Sequence, residues 1–136
     1  MMQQVRIKKN VLDQMTQHAQ SEFPLECCGL LAGQHEVISD LHMMSNLVKS
    51  TVRFEMDPLE LFNFFRRLRA AGDTHLGIYH SHPSTEAYPS VTDIAEFFYP
   101  DCTYFIVSLK DPRSPQIRAF QIEDTKVRAI EIHELE

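Results

Sequence analysis

His80-Ser81-His82-Pro83, followed beyond Pro89 by Ser90-Val91-Thr92-Asp93, is a metal-ligand set with a built-in hydroxyl. Side chains alternate faces along an extended strand, so His80 and His82 project from the same side and both imidazoles can reach one ion. Asp93 lies eleven residues after His82. If the intervening loop folds back, its carboxylate completes a three-ligand site and leaves the fourth tetrahedral position to water, as catalytic zinc requires. Zinc held this way lowers the pKa of its water toward about 7, so hydroxide becomes available as a nucleophile near neutral pH.

Each fragment also has an ordinary reading. Seven histidines in 136 residues produce His-x-His pairs by chance, so the pair needs context. Ser90-x-x-Asp93 resembles a helix capping box, with Asp where Glu or Gln is usual, and Val91, Ile94, Ala95 and Phe98 form a helical face behind it. The two readings are compatible, because a ligand beside a helix start is rigidly held. It is the joint spacing that singles out a metal site.

Hydrolysis also needs a carboxylate near the water but outside the metal's ligands, to take its proton and deliver it to the leaving amine. Glu26 and Glu86 are the first candidates, with Glu22 and Glu55 behind them. Glu26 lies between Phe23-Pro24-Leu25 and Cys27-Cys28-Gly29-Leu30-Leu31, where apolar surroundings raise a carboxyl pKa toward the operating pH. Ser90 offers a donor to the oxyanion of a tetrahedral intermediate, an interaction worth about 3 kcal/mol of barrier lowering.

The elements that must position these groups alternate between helix and strand. Asn10 can cap a helix over Val11 to about Gln20, ended by Phe23-Pro24. A strand from Cys28 to Ala32 turns at Gly33-Gln34 into a second, Glu36 to about Met44. Asp57-Pro58-Leu59-Glu60 starts a helix that Gly72 ends. Thr74 to Tyr79 is the strand that delivers the histidines, and a helix follows from Ser90 to Tyr99. Strands near Thr103 to Leu109 and Gln116 to Ile122 come next, and Val127 to Ile132 reads as one more, at a sheet edge. The expectation is a single mixed α/β domain over residues 1–136, with a central, mostly antiparallel sheet flanked by helices.

The whole chain permits this. Hydrophobic content of 43% and charged content of 24% are ordinary for a globular protein, and a chain of 136 residues buries a substantial core. A formal charge of −6 disfavours nucleic acid as a partner. The cluster Arg66, Arg67 and Arg69 spreads over more than one helix face and reads as solvated surface. Three cysteines, an odd number with no Cys-x-x-Cys, point to a reducing, cytoplasmic setting. The stretch Met1 to Lys9 has no apolar leader core, and no later run approaches eighteen apolar residues, so neither secretion nor a membrane association is expected.

Together, Glu26, His80-Ser81-His82-Pro83, Ser90 and Asp93 resemble the JAMM motif of the catalytically competent MPN-domain metalloproteases, in their short, stand-alone prokaryotic form. Leu25-Glu26-Cys27-Cys28-Gly29-Leu30-Leu31 is similar to the family's glutamate-bearing segment, which selects Glu26 over Glu86. The resemblance implies an MPN/JAMM fold, similar to that of cytidine deaminases. It implies one zinc ion (Zn2+) per chain on His80, His82 and Asp93, Glu26 as general acid/base, and Ser90 as stabiliser of the tetrahedral intermediate. It further implies a peptidase or isopeptidase acting on a ubiquitin-like or sulfur-carrier protein with a Gly-Gly tail, with a homodimer possible. Two other readings compete: a noncatalytic MPN scaffold that binds partners, and a nucleobase deaminase, whose His-x-Glu and Pro-Cys-x-x-Cys signature this chain lacks.

Overall fold

The computed structural model describes residues 4–136; residues 1–3, part of the stretch read above for a leader, lie outside them. In chain order the elements are β1 (Gln4–Lys8), α1 (Lys9–Glu22), β2 (Cys28–Gln34), β3 (Val37–Met44), α2 (Pro58–Ala71), β4 (Thr74–His82), α3 (Val91–Ala95), β5 (Thr103–Ser108), β6 (Gln116–Glu123) and β7 (Lys126–Leu135). The strands close into a barrel in the order β1-β3-β2-β4-β5-β6-β7. Pairings β2–β3, β2–β4, β5–β6 and β6–β7 are antiparallel, whereas β1–β3, β1–β7 and β4–β5 are parallel. The mixed sheet expected from the sequence is therefore present, with two differences: β1 is an additional strand, and β7 is no edge. It pairs with β6 on one side and with β1 on the other, which closes the ring.

The alternation of apolar residues along β2 and β4 feeds two cores. Leu31 and Tyr79 pack with Val11, Met15 and Ala19 of α1. Leu30, Ala32 and Ile78 point the other way and meet Phe64 and Leu68 of α2. Val11, Met15, His18 and Ala19 are the buried stripe of α1, at helical spacing. His18 closes this core by a 2.7 Å hydrogen bond between its Nδ1 and the Tyr79 hydroxyl. Helix α2 has the ends expected of it: Asp57 caps it by accepting from the Leu59 N–H, and Gly72 ends it in the left-handed conformation at φ 74.

Tyr79 determines one glycine. Gly29 pairs with Tyr79 across β2 and β4, and a Cβ there would lie 2.2 Å from the Tyr79 ring. The ring is fully buried, and its hydroxyl is held by His18 Nδ1 at 2.7 Å. Gly29→Ala is accordingly expected to cost about 2–3 kcal/mol of unfolding free energy, measured by denaturant titration.

Candidate metal centre and active site

Strand register, more than local sequence, assembles the site. Cys28 pairs with His80 in the antiparallel β2–β4 ladder. Continued by two residues, the same register brings Glu26 opposite His82, on the face that also carries His80. The residue between the histidines faces the other way and secures this extension. Ser81 donates its N–H to the Cys27 carbonyl at 3.1 Å, and its Oγ accepts from the Cys27 N–H at 2.8 Å. Ser81 is not among the residues singled out from sequence, although strand alternation alone places it behind the two histidines.

The loop after His82 folds back as required. The Ser108 hydroxyl donates to the Thr85 carbonyl at 2.6 Å and holds the loop down, and the Glu86 carbonyl lies 2.9 Å from His82 Nδ1. That contact leaves His82 Nε2 directed inward. Helix α3 then starts with a complete capping box: Ser90 Oγ accepts from the Asp93 N–H at 3.0 Å and Asp93 Oδ2 from the Ser90 N–H at 2.9 Å. The helix is shorter than expected, ending at Ala95, because Phe97 and Tyr99 turn into the core beside α2 on irregular backbone.

Three donor atoms converge. His80 Nε2 and His82 Nε2 lie 3.1 Å and 3.0 Å from Asp93 Oδ2 and 3.1 Å from each other. Ligand atoms on a tetrahedral zinc with bonds of about 2.0–2.1 Å are separated by roughly 3.3 Å, so this triangle is of the right size. Burial would raise the Asp93 pKa, but hydrogen bonds with His80 and His82 outweigh it and hold the carboxyl well below its ordinary range. Burial would likewise lower the His82 pKa, and the partners Asp93 and Glu86 reverse that and raise it. Two imidazoles and a carboxylate aimed at one point are a donor set suited to a divalent cation.

Of the four glutamates considered from sequence, only Glu26 is buried, at 3% exposure; Glu22, Glu55 and Glu86 are exposed. Its Oε1 has no hydrogen-bond partner. Burial pushes its pKa up to about 8, Asp93 adds to the shift, and His82 opposes it. By strand register the residue stands opposite His82, outside the donor triangle. Glu86 contributes its backbone carbonyl and not its carboxylate.

Beside the triangle opens a groove of about 310 Å³. Phe54, Met56, Leu61, Tyr99 and Tyr104 give it an apolar lining, with Arg53, Glu55, Thr92 and Glu96 as polar points, and His80 and Asp93 at one end. Phe54 stacks on His80 with ring centroids 4.8 Å apart. No periodic pattern marks Phe54 in the sequence, since it lies in a segment without helix or strand. The three cysteines are free and buried. Burial pushes Cys27 and Cys102 up to about 12 and Cys28 higher still, and none of the three belongs to the converging group of His80, His82 and Asp93.

Comparison with known proteins identifies the family. The family model described as prokaryotic homologs of the JAB domain matches residues 8–123, which include Glu26, both histidines, Ser90 and Asp93. The chain belongs to the prokaryotic JAB-domain family. It is 35% identical to the CysO-cysteine peptidase of Mycobacterium tuberculosis over 89% of this chain and 84% of that one. It is 33% identical to the desampylase of Haloferax volcanii over 74% and 75% of the two chains. The solution structure of protein DSY2949 from Desulfitobacterium hafniense superposes with a TM-score of 0.88 at 34% identity, covering 97% of this chain and 93% of that one. The resemblance to JAMM/MPN proteins is therefore shown by the whole JAB domain as well as by its motif. Among the described residues, no helix of this JAB domain is long and apolar enough to cross a membrane.

Proposed function

We propose that this JAB-domain chain is a zinc-dependent peptidase or isopeptidase. It hydrolyses the bond at the C-terminus of a ubiquitin-like or sulfur-carrier protein in the cytoplasm. The observation that carries this reading is a buried, unpartnered Glu26 carboxylate beside the converging donors of His80, His82 and Asp93. The relatives' names support the class: one is a peptidase named for CysO-cysteine, another a desampylase. A noncatalytic scaffold has no use for a buried carboxyl whose burial disfavours its charged form.

His80, His82 and Asp93 would hold the zinc ion, which would supply Lewis acidity toward water and a carbonyl there. Glu26 takes a proton from the attacking water on its carboxylate and passes it to the leaving nitrogen, a role suited to a group whose pKa burial has raised. Ser90 accepts a hydrogen bond from the Asp93 N–H, which leaves its hydroxyl proton free to donate to the carbonyl oxygen as negative charge develops there. Arg53, Phe54, Glu55 and Met56 line one wall of the groove. An incoming Gly-Gly tail would lie against it, with backbone hydrogen bonds for affinity and no side chains to obstruct entry.

Ser90→Ala separates the two roles of that hydroxyl. Loss of the cap lowers stability by about 1 kcal/mol, while loss of the oxyanion donor lowers kcat by about 10²–10³ with zinc content unchanged. A variant that lost only stability would restrict Ser90 to capping. The reading as a whole is tested by incubating the zinc-loaded protein with the host's small Gly-Gly-ending proteins, free, extended and conjugated, and reading the products by intact mass. Loss of a C-terminal extension or release of a conjugate supports it. No change in any substrate, with stoichiometric zinc present, overturns it.

A further inference from the structure

Glu26 precedes the first residue of β2, so ladder hydrogen bonds do not hold its own peptide groups. Both go instead to the segment between β3 and α2. The Glu26 N–H donates to the Ser50 carbonyl at 2.8 Å, and its carbonyl accepts from the Asn46 side-chain amide at 3.1 Å. The same amide nitrogen donates to the Arg53 carbonyl at 3.1 Å, while Asn46 Oδ1 accepts from the N–H groups of Val48 and Glu55 at 3.2 Å and 3.1 Å. Leu47 N–H to Glu55 carbonyl, at 2.9 Å, and a bridge between Asn46 and Met56 complete the closure. One side chain thus fastens the groove wall, with Phe54 on it stacked against His80, to the backbone of the buried carboxylate.

We propose that Asn46 is a positioning residue, whose amide couples the substrate-facing wall of the groove to Glu26. The assignment rests on the peptidase reading, since Asn46 acts through Glu26 and touches neither metal donors nor reacting atoms. The side chain needs both halves of an amide in this place. Asp keeps the acceptor for Val48 and Glu55 but sets an oxygen against the carbonyls of Glu26 and Arg53, and Ala removes all four bonds. A seated tail presses on the same wall that orients the proton carrier, so binding and proton transfer are mechanically linked.

The test uses the zinc-loaded full chain, with amide hydrogen exchange and steady-state cleavage of a small Gly-Gly-ending protein extended by one residue. In Asn46→Asp the Glu26 and Leu47 amides are expected to exchange at least tenfold faster. The Leu30 and Ile78 amides of the barrel and the zinc stoichiometry stay as in wild type. kcat falls at least tenfold and KM rises. Asn46→Ala, which introduces no charge, should move the same quantities in the same direction. A purely structural role would lower the unfolding midpoint and leave kcat of the folded, zinc-loaded protein untouched. Wild-type kcat and KM in Asn46→Asp, or unchanged exchange at Glu26, overturns the proposal. A wild-type protein that cleaves no substrate overturns the peptidase reading, a result distinct from an active wild type matched by an active Asn46→Asp.

Discussion

Replacing Glu26 with Gln is expected to reduce kcat by about 10²–10⁴ while zinc remains stoichiometric, because the amide preserves shape and removes only the ability to carry a proton. Intact-mass cleavage assays and metal analysis on the same preparation measure the two quantities together. The substitution has a second consequence in the metal-free protein. Burial pushes the Glu26 pKa from 4.5 up to about 8, so between these values the folded state binds a proton that the unfolded state has released. The stabilising contribution of the protonated form is fully present below pH 4.5 and is lost as pH rises through 8. Gln is neutral throughout and has no such slope. Between pH 5 and 7, wild type should therefore lose on the order of 3 kcal/mol relative to Glu26→Gln, measured by urea titration in chelator. Equal pH slopes in the two proteins would place Glu26 in a solvated setting at odds with its burial, and full activity in Glu26→Gln would remove it from the mechanism.

The convergence of His80, His82 and Asp93 is legible in the sequence because their arrangement is local. Strand alternation pairs His80 with His82, and the capping box that presents Asp93 spans four residues, Ser90 to Asp93. Glu26 is different in kind. Its place opposite His82 follows from the β2–β4 register, a long-range pairing that no window of sequence contains, so only its apolar setting and the family resemblance select it over Glu86. Asn46 and Phe54 lie in irregular chain, where neither a period of two nor of 3.6 exists to mark them.

Among the elements, β1 is the one the sequence conceals. Only Val5 and Ile7 alternate with polar neighbours, too short a pattern to declare a strand. Its parallel pairing with β7 carries Lys8 to Leu135 and passes directly into α1, so the helix begins at Lys9 without a side-chain cap and Asn10 falls inside it. The turn between β2 and β3 likewise lies at His35 and Glu36, both at positive φ, and not at Gly33-Gln34. A Cβ on Gly33 would lie 1.9 Å from the Val37 carbonyl oxygen, so that glycine serves a close strand approach and not the turn.

Asp93→Ala should abolish both metal retention and cleavage. Losing a partner that merely orients a ligand costs about 10–100-fold in metal affinity. Removing one of three donors, and the carboxylate that balances the ion's charge, must cost more. Asp93 Oδ2 also accepts from the Ser90 N–H, so the Ala variant loses that part of the helix cap as well, and its instability alone could be taken for the cause. Asp93→Asn separates the two effects. An amide oxygen can still accept from Ser90, so the unfolding midpoint of the metal-free protein at neutral pH should stay closer to wild type than that of the Ala variant. Zinc occupancy, read by chelator competition, should nonetheless collapse, because the amide brings no charge and is a weaker donor. His82 provides an independent readout, since its raised pKa depends on Asp93. In metal-free Asp93→Asn its titration, followed by NMR, should move downward as burial becomes the dominant influence. Stoichiometric zinc in either variant would remove Asp93 from the ligand set. Zinc loss in Asp93→Asn beside full zinc retention in Glu26→Gln would give the two carboxylates separate roles, one holding the metal and the other carrying the proton.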